Sequence, residues 1–309
     1  MALIRLIPTK SNLQFTRYRY PAYLLSGLLV LLTVLLLFGR GLNYGVDFRG
    51  GLALELRFSE AVTADSIRGK LEALQLSDLS LQQFGSNQDY MLIAPVTDES
   101  AQAAQQLQER ILASLGNNVE VRRSEYVGPR VGAELKKNGI LAVGFALFGI
   151  MCYIWLRFEW QFGVCALIAL LHDCITTIGL FILLQLEFNL STIAAVLTIA
   201  GYSINDTVVI YDRIRENLRK YKKMPLHEVI DLSLNETLSR TILTVTTVLI
   251  VLLILLFLGG EVISGFAIAM LWGLFVGTYS TVYLAAPLLA ALNVRRTLEA
   301  SDENAAVVG

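Results

Sequence analysis

Long uncharged apolar blocks alternate along the chain with short polar joints and one long polar interval. Residues 21–39, 138–156 and 241–260 contain no charged side chain; 162–186 is apolar except for His172 and Asp173, and 188–211 except for Asp206. Residues 262–294 are also uncharged and run longer than one crossing requires, which predicts a helix ending near Pro287, because proline removes a backbone donor from a helix interior. A hydrocarbon layer about 30 Å thick takes roughly 20 helical residues to cross. The pattern therefore predicts a polytopic α-helical membrane protein with six transmembrane helices. The first block exceeds the apolar core of a cleavable signal peptide and is followed by Arg40 and Gly41, so it reads as a retained span.

The polar interval, 41–137, changes from continuous apolar runs to alternation and then to helical spacing, as a soluble α+β unit does. Residues 52–58 alternate as a strand. Thr63 caps a helix over 63–74 with Ile67, Leu71 and Leu74 on one face, and 79–84 reads as a second strand. After a Ser86-Asn87 turn come a strand at 90–94, an amphipathic helix over 98–115 stopped by Gly116, and a strand at 119–127. The order βαβ–βαβ predicts a small ferredoxin-like sheet with both helices on one face. Glycine-bearing joints bound the domain: Gly50 and Gly51 leading in, Gly128 and Pro129 leading out. Their backbone freedoms suit either hinges or tight connectors. The domain carries no metal-ligand cluster and no Ser/His/Asp or Cys/His set, so it reads as a module that touches a polypeptide or a partner domain and not as an enzyme.

Composition agrees with lipid as the solvent: of 309 residues, 55 % are hydrophobic and only 17 % charged. The net charge of −1 says little about partners, and nothing points to nucleic acid; what matters is where Lys and Arg fall. They gather before the first span (Lys10, Arg17, Arg19), between the fourth and fifth (Arg213, Arg215, Arg219, Lys220, Lys222, Lys223) and after the sixth (Arg295, Arg296). Six spans place these segments on one side. The expected layout is a cytoplasmic segment 1–20, a first span 21–39, an outer domain 41–137, a five-helix region 138–290 with a cytoplasmic loop 212–238, and a cytoplasmic tail 291–309. Lys136 and Lys137 run against the rule but belong to the translocated domain. Cys152, Cys165 and Cys174 lie inside spans and read as small packing residues.

An acid or arginine at lipid depth costs roughly 2.5–3.5 kcal/mol and normally faces a bundle interior. Asp206 lies about 8 Å along its helix from the inner boundary at Asp212-Arg213, and Thr198, Tyr202, Asn205 and Asp206 recur near helical spacing. The fifth span offers a facing stripe of Thr237, Arg240, Thr244 and Thr247. Burial favours a protonated carboxyl and a facing guanidinium an ionised one, so moving the two helices would take up or release a proton. A static ion pair that fixes helix register is the alternative. His172 and Asp173 are a weaker case, since adjacent residues on a helix point in different directions; packing and proton relay both remain open for them. Pro225 opens an amphipathic stretch (Leu226, Val229, Ile230, Leu232), Ser233 to Glu236 has a capping-box pattern, and Gly273 and Gly277 make a small-residue face. No Gly-x-x-x-x-Gly-Lys-Ser/Thr phosphate loop occurs, so nucleotide hydrolysis is unsupported.

These motifs resemble the SecD/SecF family of bacterial Sec protein-export membrane subunits, within the resistance-nodulation-division (RND) superfamily. The resemblance rests on the run from Leu197 through Gly201, Tyr202, Asn205 and Asp206 to Asn217, on Ser233 to Arg240 and its following Thr-Ile, on Gly45-Val-Asp-Phe-Arg-Gly-Gly51, on Val127-Gly-Pro, on Leu171-His-Asp173 and on Gly277-Thr-Tyr-Ser. It implies an RND half-type bundle and a periplasmic domain. It further implies residence in the cell inner membrane and assembly with SecD, the SecYEG channel and other accessory Sec subunits around a translocating preprotein. Protons are the implied coupling ion, with no cofactor, and Asp206, Arg240 and Thr244 match the family's proton-conducting positions. Tyr211 stands where the family commonly has Phe. A passive structural subunit of the translocase and half of an RND small-molecule or lipid exporter are the competing readings; the small outer domain counts against the second.

Overall fold

The computed structural model describes residues 12–292 and 294, apart from 73, 75–78, 84–85, 97–99 and 117. It divides into two compact units, Tyr44–Ala142 and the remainder.

The larger unit holds the apolar helices. Its elements are α1 (Arg19–Gly39), the greater part of α5 (Pro129–Arg157), α6 (Trp160–Leu184), α7 (Leu190–Lys220), α8 (Leu226–Leu258) and α9 (Glu261–Ser280), followed by a π-helical turn (Thr281–Ala285) and α10 (Ala286–Ala291). Counting α9 through α10 as one, six helices among the described residues are long and apolar enough to cross a membrane. Burial separates them. α6 and the last span are enclosed, whereas α1, α5 and α8 expose rows of large apolar side chains such as Leu28, Phe145 and Ile254. Gly273 and Gly277 let α9 come close to α7: a Cβ on Gly273 would collide with Ile199, and one on Gly277 would lie 3.3 Å from the Ser203 Cβ. Gly179 likewise admits Thr33 of α1. Tyr211 meets Phe158 and Phe162 edge-on, with the Phe162 and Tyr211 centroids 5.1 Å apart, while the two phenylalanine rings are tilted at 32° to each other. Ahead of α1, the chain is tied to α8: Leu13 and Asn235 exchange two bonds, and both the amide and hydroxyl of Thr16 donate to Asp231.

Several sequence expectations change here. The last helix does not stop at Pro287. The π turn widens the backbone just ahead of it, so Pro287 falls in the first turn of α10, where a missing N–H costs little. The inner loop expected at 212–238 is mostly helix, leaving only 221–225 between α7 and α8. Leu226, Val229 and Ile230 therefore open α8 itself, with Val229 and Ile230 fully buried, and do not form a separate surface stretch. Ser233 is no helix cap either: it lies two turns inside α8 and donates back to the Val229 carbonyl. The capping box of this region is at Asn189 and Thr192, opening α7. Lys10, Arg295, Arg296 and the tail from 295 onward lie outside the described residues.

The smaller unit contains α2 (Val46–Arg49), β1 (Gly51–Phe58), α3 (Ala64–Glu72), β2 (Ser80–Gln83), β3 (Asp89–Ala94), α4 (Ala101–Leu115) and β4 (Val119–Val127). The sheet order is β2-β3-β1-β4 with every neighbouring pair antiparallel, which is the interleaved double βαβ arrangement expected from the sequence. Leu52, Leu54, Leu56 and Phe58 alternate onto one face and meet Ile67 and Leu71 of α3 and Leu107 and Ile111 of α4. Ala53 and Ile93 face the other way, against Val46 of α2. Helix α4 starts from Ser100, whose hydroxyl accepts the Ala103 amide, and Gly116 ends it at φ +89°. Residues 84 and 98, at the ends of the expected second strand and second helix, lie outside the described residues.

Gly51 opens β1 at φ +116°, and a Cβ there would lie 2.5 Å from the Ala94 carbonyl oxygen. Gly51→Ala is expected to destabilise this domain by more than about 1 kcal/mol. Gly69→Ala, exposed in mid-helix with open space around it, should stabilise it by about 0.5–1 kcal/mol. Protease resistance of the α+β domain in the intact chain, measured against temperature, distinguishes the two.

Candidate functional site

Helices α7 and α8 form an antiparallel hairpin whose register is set by polar side chains. Near the loop, Asn217, 1 % exposed, donates to Ser233 Oγ at 3.0 Å and to Glu236 Oε2 at 2.7 Å. Arg213 Nε also donates to Glu236, at 2.6 Å. Further along, the Thr241 hydroxyl donates to both carboxylate oxygens of Asp206, at 3.0 and 3.3 Å. A loop of five residues and four polar side-chain pairs thus hold the registry of the hairpin.

Around Asp206 the sequence-marked residues divide. Asp206 itself is half-buried, and Thr241 is nearly enclosed. Arg240 and Asn205 are exposed, as are Thr198 and Thr247. Among the described residues Arg240 makes no ion pair with Asp206, although its charge acts on the carboxylate at longer range. Thr244 bonds its own helix, donating to the Arg240 and Thr241 carbonyls at 3.1 and 2.9 Å, and Tyr202, like Asp206, is partly buried. Thr247 and Thr198 also bond only to the preceding turn. The direct partner of Asp206 is Thr241, which the sequence reading passed over. Its signal was present: Thr241 follows Thr237 at i+4, as Arg240 does at i+3, so the facing stripe includes both.

A second polar cluster fills the junction of α6, α7 and α9. Asp173, fully buried, accepts the Ser203 hydroxyl at 2.7 Å and the Ser280 hydroxyl at 2.8 Å, both on Oδ2. Its Oδ1 lies 3.1 Å from His172 Nδ1. Adjacent on α6, the two side chains start in different directions yet their polar ends meet within hydrogen-bond distance. One turn on, the Thr207 and Thr281 hydroxyls pair at 2.9 Å. Ser203, Ser280, Thr207 and Thr281 were not legible as a group, since small hydroxyl residues scattered through apolar helices have many uses.

In the smaller unit the two joints pack on each other. Gly50 has φ +71°, and a Cβ there would stand 2.8 Å from the Pro129 Cα; one on Gly132 would stand 3.0 Å from the Gly50 amide. Gly51 pairs with Val127 across the β1–β4 ladder. Gly128 shows only ordinary contacts. Among the described residues no group of three or more His, Cys, Asp or Glu is placed to hold a metal ion.

Thr241→Val keeps the shape at Asp206 but removes the hydroxyl, and should lower the stability of the α7–α8 contact by about 0.6–1.7 kcal/mol. Thr246→Val, whose exposed hydroxyl bonds only the Ile242 carbonyl, should change it by less. Unfolding of the full chain in mixed detergent micelles provides the comparison.

Two family models match the chain. "Protein export membrane protein SecD/SecF, C-terminal" covers residues 107–295, and "SecD/SecF GG Motif" covers residues 35–62, which include Gly50 and Gly51. The protein translocase subunit SecF of Rickettsia felis is 44 % identical over 297 residues, covering 95 % of this chain and 96 % of that protein. The SecF subunit of Rhodobacter capsulatus is 41 % identical over 314 residues, covering 97 % and 94 %. Among solved structures, SecDF of Thermus thermophilus, described as a translocon-associated membrane protein, superposes with a TM-score of 0.83 at 37 % identity. A SecDF structure in a super-membrane-facing form gives 0.69 at 36 % identity. The two superpositions cover 94 % and 97 % of this chain but only 40 % and 41 % of those longer ones.

Proposed function

The chain belongs to the SecD/SecF family of protein-export membrane proteins, and from that premise we propose that it is an auxiliary Sec translocase subunit that works with SecD, using the proton-motive force to promote polypeptide export. It is a multi-pass protein of the inner membrane. In this reading both termini are cytoplasmic, the α+β domain is periplasmic, and SecYEG and the emerging preprotein are its working partners.

The observation that carries the proton-coupled part is the Asp206 carboxylate at lipid depth, bonded to α8 through Thr241 and within the field of Arg240. Ionised, it accepts a charge-assisted bond; protonated, it loses the charge that makes that bond strong and that attracts the guanidinium. One proton moved through 100 mV releases about 2.3 kcal/mol. A hydrogen bond between membrane helices contributes about 0.6 kcal/mol on average and at most about 1.7. The gradient therefore suffices to break the Thr241 contact. Glu236 and Asn217 hold the base of the hairpin, so α8 would pivot from there. The partner follows from what lies outside: Arg240 and Asn205 are exposed on this chain at a depth where lipid gives them nothing to bond. A protein neighbour answers that, and the solved relatives are SecDF chains.

Asp206→Asn preserves an acceptor for Thr241 but cannot titrate. In vesicles carrying the whole translocase, the variant should assemble with SecD and lose the gradient-dependent part of preprotein export. Full retention of the gradient response would replace the motor reading with that of a passive structural subunit. Export of a dye or lipid with no effect on polypeptides would favour the exporter reading.

A further inference from the structure

We infer that His172 and Asp173 form a second protonatable site, distinct from Asp206, which takes up one proton at His172 Nε2. Both residues are at least nine-tenths buried, at 4 % and 0 % exposure. Every acceptor of the Asp173 carboxylate is met: Ser203 and Ser280 donate to Oδ2, and His172 Nδ1 faces Oδ1. A carboxylate so placed fixes the proton of a neutral His172 on Nδ1, because the ring must donate there. What is left over is His172 Nε2, buried with no protein group to bond. In the tautomer just assigned it carries a free lone pair.

The charges decide what that lone pair does. With His172 neutral and Asp173 ionised the pair carries one negative charge inside the bundle, and no Lys or Arg is paired with it among the described residues. The groups facing it are Cys174 on its own helix, Ser203 on α7, and Tyr279 and Ser280 on α9; none is a cation. On α1, Ser26 and the Ala22 carbonyl engage the Tyr279 hydroxyl, and Tyr23 packs two helical turns away, in the cluster that holds Cys165. One proton added at Nε2 forms an N–H bond, leaves Nδ1–H donating to Asp173, and makes the pair an imidazolium–carboxylate of zero net charge. A buried medium favours that neutral sum over an unbalanced carboxylate.

The site lies close to Asp206 in a mechanical sense. Ser203, which holds Asp173, precedes Asp206 by three residues on α7, and the same turn therefore bonds α6 through one residue and α8 through the other. A proton at either site changes the charge against which that turn is held. Its use in transport rests on the proton-coupled reading above; the site itself does not.

The chain has two histidines, so His227→Gln, at an exposed position, leaves His172 as the only one. The full chain carrying that change is labelled with nitrogen-15 histidine, placed in lipid bilayers, and its ring nitrogens are followed by solid-state NMR from about pH 4 to about pH 10. The expected result is a single step from a neutral Nδ1–H ring to an imidazolium. Asp173→Asn, which keeps acceptors for both serines but removes the charge, should weaken proton binding at His172 by about tenfold or more. Asp206→Asn should leave a step present even where it abolishes gradient-driven export, which separates this site from the transport reading. A ring that stays in one state across the whole range, or a step that Asp173→Asn leaves unmoved, overturns the proposal and makes the cluster a fixed packing device. The wild-type step needs no variant at Asp173, so misfolding of that variant does not remove the test.

Discussion

Lipid offers a buried polar group no substitute for water, and most of the internal structure of this bundle follows from how its few polar side chains find one another. The enclosed helices α6, α7 and α9 meet through hydroxyls on short side chains, Ser203, Ser280, Thr207 and Thr281, around the Asp173 carboxylate. Short side chains matter because a hydroxyl can bridge two helices only if their backbones come close. Gly273 and Gly277 permit that closeness on α9. Apolar contact alone would not select it, since lipid tails pack against leucine as readily as another helix does.

The two intramembrane acids are held in different ways. Asp173 is enclosed by donors from three helices. Asp206 is bonded by one residue of one helix, with Asn205 and Arg240 exposed beside it. An acid with a single breakable contact and a face left for a neighbour is suited to changing partners. An acid at the crossing point of three helices resists movement and instead exposes the bundle to the charge state of its own pair. The base of the α7–α8 hairpin is fixed by Asn217, Glu236 and Arg213.

The α+β domain applies the same economy of space in water. Its entry and exit segments touch where only glycine fits, Gly50 against Pro129 and Gly132 against Gly50, and Gly51 starts β1 within reach of the Ala94 carbonyl. The strands that these joints lead into and out of, β1 and β4, pair with each other along the ladder, so the same contacts tie both ends of the domain together.

Periodicity determined by itself the six spans, the α+β domain and the succession of its elements along the chain, because long apolar runs and alternating strands are local patterns with one physical explanation each. The prominence of Asp206 was equally legible, since a lone acid in an apolar run is costly wherever it points. What only the tertiary structure decided was partnership. Thr241 and not Arg240 bonds Asp206, His172 meets its neighbour Asp173, and Ser203 and Ser280 converge on one oxygen from residues far apart in the chain. The continuation of the last helix past Pro287 belongs with these, since it depends on a π turn that no local residue type announces. A hydrogen bond needs two groups within about 3 Å. Spacing along a helix fixes which face a residue is on, and only the packing of one helix on another fixes what that face meets.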